Sequence, residues 1–111
     1  MLTRDAILSA KDLKTEVVKV PEWGGEVIIA TMTGAARDEW EQSLVGDKAM
    51  ANVRARLFAA TCVDEQGNRL FTAKDAEALG KKSGAALDRC TKAAQRLNGL
   101  TSEDLDDAEK N

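Results

Sequence analysis

The sequence predicts an α+β fold, a predominantly helical single domain carrying one or two small antiparallel β-hairpins. Three observations lead there. Apolar residues recur at helical spacing through most of the stretch from residue 33 to residue 97. The β-branched run "VVKV" and the run "VIIATM" flank a tight break, Pro21-Glu22-Trp23-Gly24-Gly25. A hydrophobic fraction of 43% beside 32% charged residues suits a globular chain of 111 residues, long enough for one core and too short for two.

The elements follow in order. Thr3 can cap a short first helix, with Asp5 in its first turn and Ile7 and Leu8 as a small apolar face. In the strand after it, Val18 and Val20 share one face and Val17 and Lys19 the other. Pro21 cannot donate to a ladder and ends that strand, and Gly24-Gly25 can take the positive φ angles that close a hairpin. The return strand, Glu26 to Met32, sets Val27, Ile29 and Thr31 on one face and Ile28, Ala30 and Met32 on the other. A strand apolar on both faces is expected to be covered on both, by helices or by another subunit.

Thr33 is placed to cap a helix running to about Leu44, whose stripe Ala36, Trp40, Leu44 makes Trp40 a core residue and leaves Arg37, Asp38, Glu39 and Glu41 exposed. After a break at Gly46-Asp47, the next helix runs from Lys48 to Thr61 with Met50, Val53, Leu57 and Ala60 on one face, widened by Phe58. "CVDEQGNRLF" reads as a second, smaller hairpin with its turn at Gly67-Asn68. Thr72 with Asp75 starts a short helix that stops at Gly80. Ser83 caps the last long helix, whose seam Ala86, Leu87, Cys90, Ala93, Ala94, Leu97 is rich in small residues and ends at Asn98-Gly99. Thr101 to Asp104 could open one more helix.

Composition excludes much chemistry. There is no histidine, and Cys62 and Cys90 are too far apart for a CxxC pair, which removes the usual zinc sets and the Ser-His and Cys-His nucleophile pairs. Both thiols read as small buried hydrophobes. "EWGGEV" lacks the spacing of phosphate-binding glycine loops, and "VDEQGN" lacks the further oxygen ligands of a calcium loop. Arg54, Arg56, Arg89, Lys92 and Arg96 interleave with helix stripes and have no aromatic platform, so they read as a solvated helix face. Nothing points to an enzyme or a cofactor. The N-terminus has no apolar signal region and no run is long enough to span a membrane, so a cytoplasmic location is expected.

Charge divides the chain into residues 1–98 and a tail, 99–111, expected to be acidic and flexible. The tail holds five acids against Lys110 alone, a net −4, which leaves the body near +1 of the total −3. A near-neutral body with an acidic tail disfavours nucleic acid as a partner. Trp23 stands apart as one of only four aromatic residues. Either it folds back over the sheet and pins the hairpin, or the turn displays it to a partner.

The run "VKVPEWGGEVIIATMTGAARDEWEQSL" carries a resemblance to the tail assembly chaperones of long-tailed (siphovirus-type) phages and prophages. Those proteins share a V-x-V-P-E-W-G-G-x-V hairpin, here Val18 to Val27, a T-G-x-x-R-D helix start, here Thr33, Gly34, Arg37 and Asp38, and an acidic-aromatic pair, here Glu39-Trp40-Glu41. "CVDEQGNRLFTAKDAEALGKKS" also looks like that family, and the resemblance runs from about residue 3 to 98. It implies a non-catalytic assembly factor that coats the tape measure protein, keeps it soluble and brings tail-tube subunits to it. It also implies absence from the finished virion and, in many relatives, a frameshifted C-terminal extension that binds the major tail tube protein. Glu109-Lys110-Asn111 can be encoded GAA-AAA-AAC, which contains the slippery heptamer A-AAA-AAC; other codons for the same residues would not slip. The expected partner-contact residues are Trp23, Gly24, Gly25, Arg37, Asp38 and Trp40, with self-association as a further expectation. The competing readings are a small structural virion protein, such as a head–tail joining subunit, and, disfavoured by charge, a DNA-associated regulator.

Overall fold

A computed structural model describes residues 1–45 and 52–100. The expected break at Gly46-Asp47, the first turns of the helix from Lys48, Met50 on its face, and the helix start at Thr101 lie outside the described residues. The chain forms α1 (Arg4–Ser9), β1 (Thr15–Val20), β2 (Gly25–Ala30), α2 (Gly34–Ser43), α3 (Val53–Thr61), β3 (Cys62–Val63), α4 (Ala76–Leu79) and α5 (Gly84–Asn98). This is the α+β arrangement the patterning predicts.

The two expected hairpins merge into one antiparallel sheet of order β1-β2-β3. β1 and β2 pair along their full length, from Thr15 opposite Ala30 to Val20 opposite Gly25. β3 adds to the far edge of β2, with Ile28 opposite Val63 and Ile29 opposite Cys62. The second hairpin shrinks to a single bridge, Val63 with Arg69. Its loop turns at once because the Asp64 carboxylate accepts from the backbone N–H groups of Gln66 and Asn68, each at 2.9 Å, an Asx-type turn that competes with ladder pairing.

The inner sheet face carries Val18, Val20 and Ile29 into the core, as the alternation predicts. Beneath it lies α3, which departs from its expected single stripe. Val53, Ala55, Leu57, Phe58, Ala59, Ala60 and Thr61 are all buried, so this helix is apolar around most of its circumference and forms the centre of the molecule. It packs against α2, α4, α5 and β2. Thr61, a polar residue at the helix end, satisfies its hydroxyl by donating to the Leu57 carbonyl at 2.8 Å.

Caps fix the remaining helices where the sequence places them. The Thr3, Thr33 and Ser83 hydroxyls accept from the N–H groups of Ala6, Ala36 and Ala86, and Thr72 and Asp75 form a reciprocal capping box before α4. On α5, Ala86, Leu87, Cys90, Ala93 and Ala94 are buried, and Gly99 ends the helix in the left-handed region at φ 65°. The core then takes in Leu100, just past that turn. α1 does not pack on the apolar face the sequence gives it. Its Ile7 and Leu8 do not close on the body, and none of its residues is buried.

Candidate functional site

The Pro21–Gly25 turn is held from three directions. Pro21 opens a 3-10 turn, Gly24 closes it at φ 72°, and the Gly24 N–H donates to the Pro21 carbonyl at 3.0 Å. A side chain at Gly24 would meet no atom within 4 Å, so the backbone angle alone demands glycine there. Gly25 does not share that angle; it begins β2 opposite Val20. Trp23 turns inward, half-buried, and meets the Phe58 ring edge-on, with centroids 5.5 Å apart at 67°. Phe58 in turn packs against Phe71 at 5.6 Å.

Glu22 supplies the third hold. Its two carboxylate oxygens accept from the Arg89 guanidinium of α5 at 2.6 and 3.0 Å, a bidentate pair across 67 residues of sequence. The Arg89 hydrogen bonds, followed by one from Glu22's own backbone N–H, bring its carboxyl down to about 2. No local sequence signal announces this pair, because Arg89 sits on an otherwise ordinary solvent-facing helix position.

The second motif, "TGAARD", lies at the opposite end of β2, whose six residues span about 20 Å. The structure therefore separates the two groups of sequence-predicted residues. Arg37 donates to Glu41 at 3.0 Å and to the Asn98 carbonyl at the end of α5, also at 3.0 Å. The Asn98 side chain accepts from the Met32 N–H at 2.7 Å and donates to the Ala94 carbonyl at 2.9 Å, tying α5 to the end of the sheet. Asp38 is exposed. Trp40 is 5% exposed and belongs to the core, with its ring N–H buried and unpartnered among the described residues. Of the six residues, only Gly24, Gly25 and Asp38 are exposed.

The other face of the sheet was missed as a site by sequence reasoning. Val17, Ile28 and Val63 stand opposite one another across β1, β2 and β3, so they form one row on that face. It is open at one edge only: Val17 is 58% exposed and Leu70, which lines the same groove, is 54% exposed, whereas Ile28 is half-buried and Val63 is buried. The signal was present in the apolar positions on both faces of β2. The chain covers the inner face fully and the outer face only in part, around Ala30 and Val63.

The remaining candidates resolve into structure. Arg54 and Lys92 pair with Asp88, and Arg96 pairs with Glu16, so the basic strip is an ion-paired helix face. Cys62 and Cys90 are free and fully buried. Burial pushes their thiols up to about 12 and about 11, which leaves them protonated and unreactive. Among the described residues, no group of three or more His, Cys, Asp or Glu side chains could hold a metal ion, and no helix is long and apolar enough to cross a membrane.

What the molecule offers is a turn locked to a core and a partly open apolar sheet face, the features of an interaction module. Residues 3–111 match the family model described as phage tail assembly chaperone, and the chain belongs to that family. The match extends through the acidic tail. A solved structure, that of the bacteriophage HK97 tail assembly chaperone, is similar at a TM-score of 0.62 over 88% of this chain and 95% of that one. At 24% identity this likeness speaks to the fold. No curated protein sequence matches the chain.

Two outcomes follow for the turn. Trp23→Ala is expected to lower unfolding free energy by about 2–3 kcal/mol, less than a full core truncation because the ring is only half covered. Urea denaturation measures this, and a loss under about 0.5 kcal/mol would place the ring outside the core. For Glu22, whose folded value lies below the ordinary 4.5, stabilisation is complete above 4.5 and disappears as pH falls towards about 2. Thermal melts across that window should show a shallower pH dependence for Glu22→Gln than for the wild type. Parallel curves would contradict the pair.

Proposed function

We propose that this chain binds the tape measure protein during tail morphogenesis, keeps it soluble, and helps to recruit subunits of the major tail tube protein, without catalysing a reaction. Membership of the tail assembly chaperone family carries the reading. The exposed apolar edge of the sheet, Val17 and Leu70, supports it physically, since a long amphipathic client needs many weak apolar contacts from repeated copies of a small module. Copies of the chain also associate with one another, which presents such contacts in series. A frameshifted extension beyond the acidic tail contacts the tube subunit. Nucleic acid and membrane have no part in the activity, which takes place in the host cytoplasm and leaves no copy of this chain in the finished particle.

The body, residues 1–98, is the binding unit in this reading, and the tail, 99–111, leads into the extension. Gly24, Gly25 and Asp38 meet partners directly. Trp23, Arg37 and Trp40 contribute by holding the turn and α2 in position.

Co-expression with the tape measure protein encoded in the same genome tests the reading. The expected outcome is a tape measure protein that becomes soluble and co-purifies with this chain. A partner that stays insoluble and alone would move the protein to the structural-virion class, which detection of this chain in purified particles would then support.

A further inference from the structure

β1 is an edge strand. The sheet order is β1-β2-β3, so β1 pairs with β2 alone. The Thr31 N–H donates to the Lys14 carbonyl at 2.9 Å, which fixes the phase of the ladder: Glu16, Val18 and Val20 are the residues that bond to β2. Thr15, Val17 and Lys19 therefore turn their backbone N–H and C=O groups away from the sheet, and those groups have no partner among the described residues. All three residues are exposed. We propose that this edge takes up an extended, acidic segment of a partner protein as a fourth strand. The inference goes beyond the reading above and needs neither the tape measure protein nor a second copy of this chain.

The edge opens into a groove of suitable shape. The groove has a volume of about 580 Å³ and runs between Glu16–Lys19 on one side and Ala85, Asp88, Arg89, Lys92 and Arg96 of α5 on the other. Those α5 positions recur every three or four residues, so they form one stripe along the helix, about 16 Å long. Four strand residues span about 13 Å. A strand edge beside a helix lets an added strand gain main-chain hydrogen bonds on one side and side-chain contacts on the other.

Charge sets the chemistry of the occupant. Lys19, Arg89, Lys92 and Arg96 line the groove against Glu16 and Asp88. Lys19 has no ion pair among the described residues. Lys92 and Arg96, with side chains 68% and 63% exposed, hold their acids in surface pairs that a further carboxylate can join. Side chains of an added strand alternate between the faces of the sheet. Those on the inner face meet the α5 stripe and call for Glu or Asp. Those on the outer face lie beside the exposed Val17 and call for β-branched residues.

The edge is also poorly defended. Proteins usually blunt an open edge with charges, a proline or a bulge. Here Lys19 is the one outward-facing charge on β1, the register with β2 runs without a bulge, and Pro21 comes only after the strand has ended.

Amide NMR with hydrogen exchange on the full chain tests this, using the peptide acetyl-EVEVEVE-amide as the probe. Saturable binding is expected, with exchange protection gained at Thr15, Val17 and Lys19 and unchanged at Glu16, Val18 and Val20. An N-methylated copy of the peptide keeps its side chains and charge but has no N–H to donate. That copy, and the basic peptide acetyl-KVKVKVK-amide, should each bind at least about tenfold more weakly. Val17→Pro removes an outward N–H without breaking the β2 ladder and should weaken binding about tenfold. Lys92→Glu, on an exposed helix position, should weaken it about threefold with the wild-type unfolding midpoint kept. It decides the question, with the N-methylated peptide, even if Val17→Pro fails to fold. Absence of new protection at the three amides, or equal binding by the N-methylated or the basic peptide, would overturn the proposal. So would protection of those amides before any peptide is added, because the edge would then be filled already by this chain's own tail or by a second copy. A tape measure protein that stays insoluble leaves this result standing, and an edge that takes no peptide leaves the client reading standing.

Discussion

Burial of α3 is the constraint on which the rest of the structure depends. Seven of its nine residues are buried, and it packs against three other helices and the central strand. Each large apolar side chain so placed contributes about 1.5–3 kcal/mol. Phe58, at 1% exposure, also fixes the periphery: Trp23 leans on it from the hairpin turn and Phe71 from the connection before α4. The alanines of α3 matter equally. Ala55, Ala59 and Ala60 leave room for neighbouring backbones, and the small seam of α5 matches them, so two helices approach closely without bulky side chains between. Position of the Pro21–Gly25 turn is thus a consequence of how α3 is packed, with the Glu22–Arg89 pair setting its orientation at the surface.

Function in such a molecule lies in display. The titratable groups that depart from their ordinary values do so for structural reasons: a carboxylate held by a guanidinium, and two thiols kept neutral by burial. The basic side chains of α5, Arg89, Lys92 and Arg96, are held in pairs. Beside them stand exposed apolar side chains, Ile7 and Leu8 on α1 and Val17 and Leu70 at the edge of the outer sheet face.

Much of the fold was legible in the sequence because it rests on local chemistry. Thr3, Thr33, Thr72 and Ser83 announce helix starts through hydroxyls that cap nearby N–H groups, and Gly99 announces an end through its backbone freedom. The alternation in "VVKV" placed Val18 and Val20 inside correctly. Long-range facts were not legible. Nothing near Cys62 says that β3 joins β2 in place of a full hairpin of its own, and nothing near Glu22 says that Arg89 is its partner. The stripe on α3 looked one-sided because alanines at Ala55 and Ala59 carry little hydrophobic signal, although their burial is nearly complete. For the candidate site, the motif residues were visible as a pattern, but their separation by the length of β2 was not. The apolar outer face was half-legible: the pattern of β2 calls for cover on both sides, and only the structure shows that the chain covers Ala30 on the outer side and leaves Ile28 half open.

The central claim is that one core, centred on α3, holds every other described element except α1. Native-state hydrogen exchange tests it most directly. The account expects the amides of Leu57 to Thr61 and of Ile29 to exchange only through global unfolding, with opening free energies equal to each other and to the value from denaturant. Amides of β2 that open at clearly lower free energy than those of α3 would contradict it, because the sheet would then be a separate unit from the helix that is claimed to hold it.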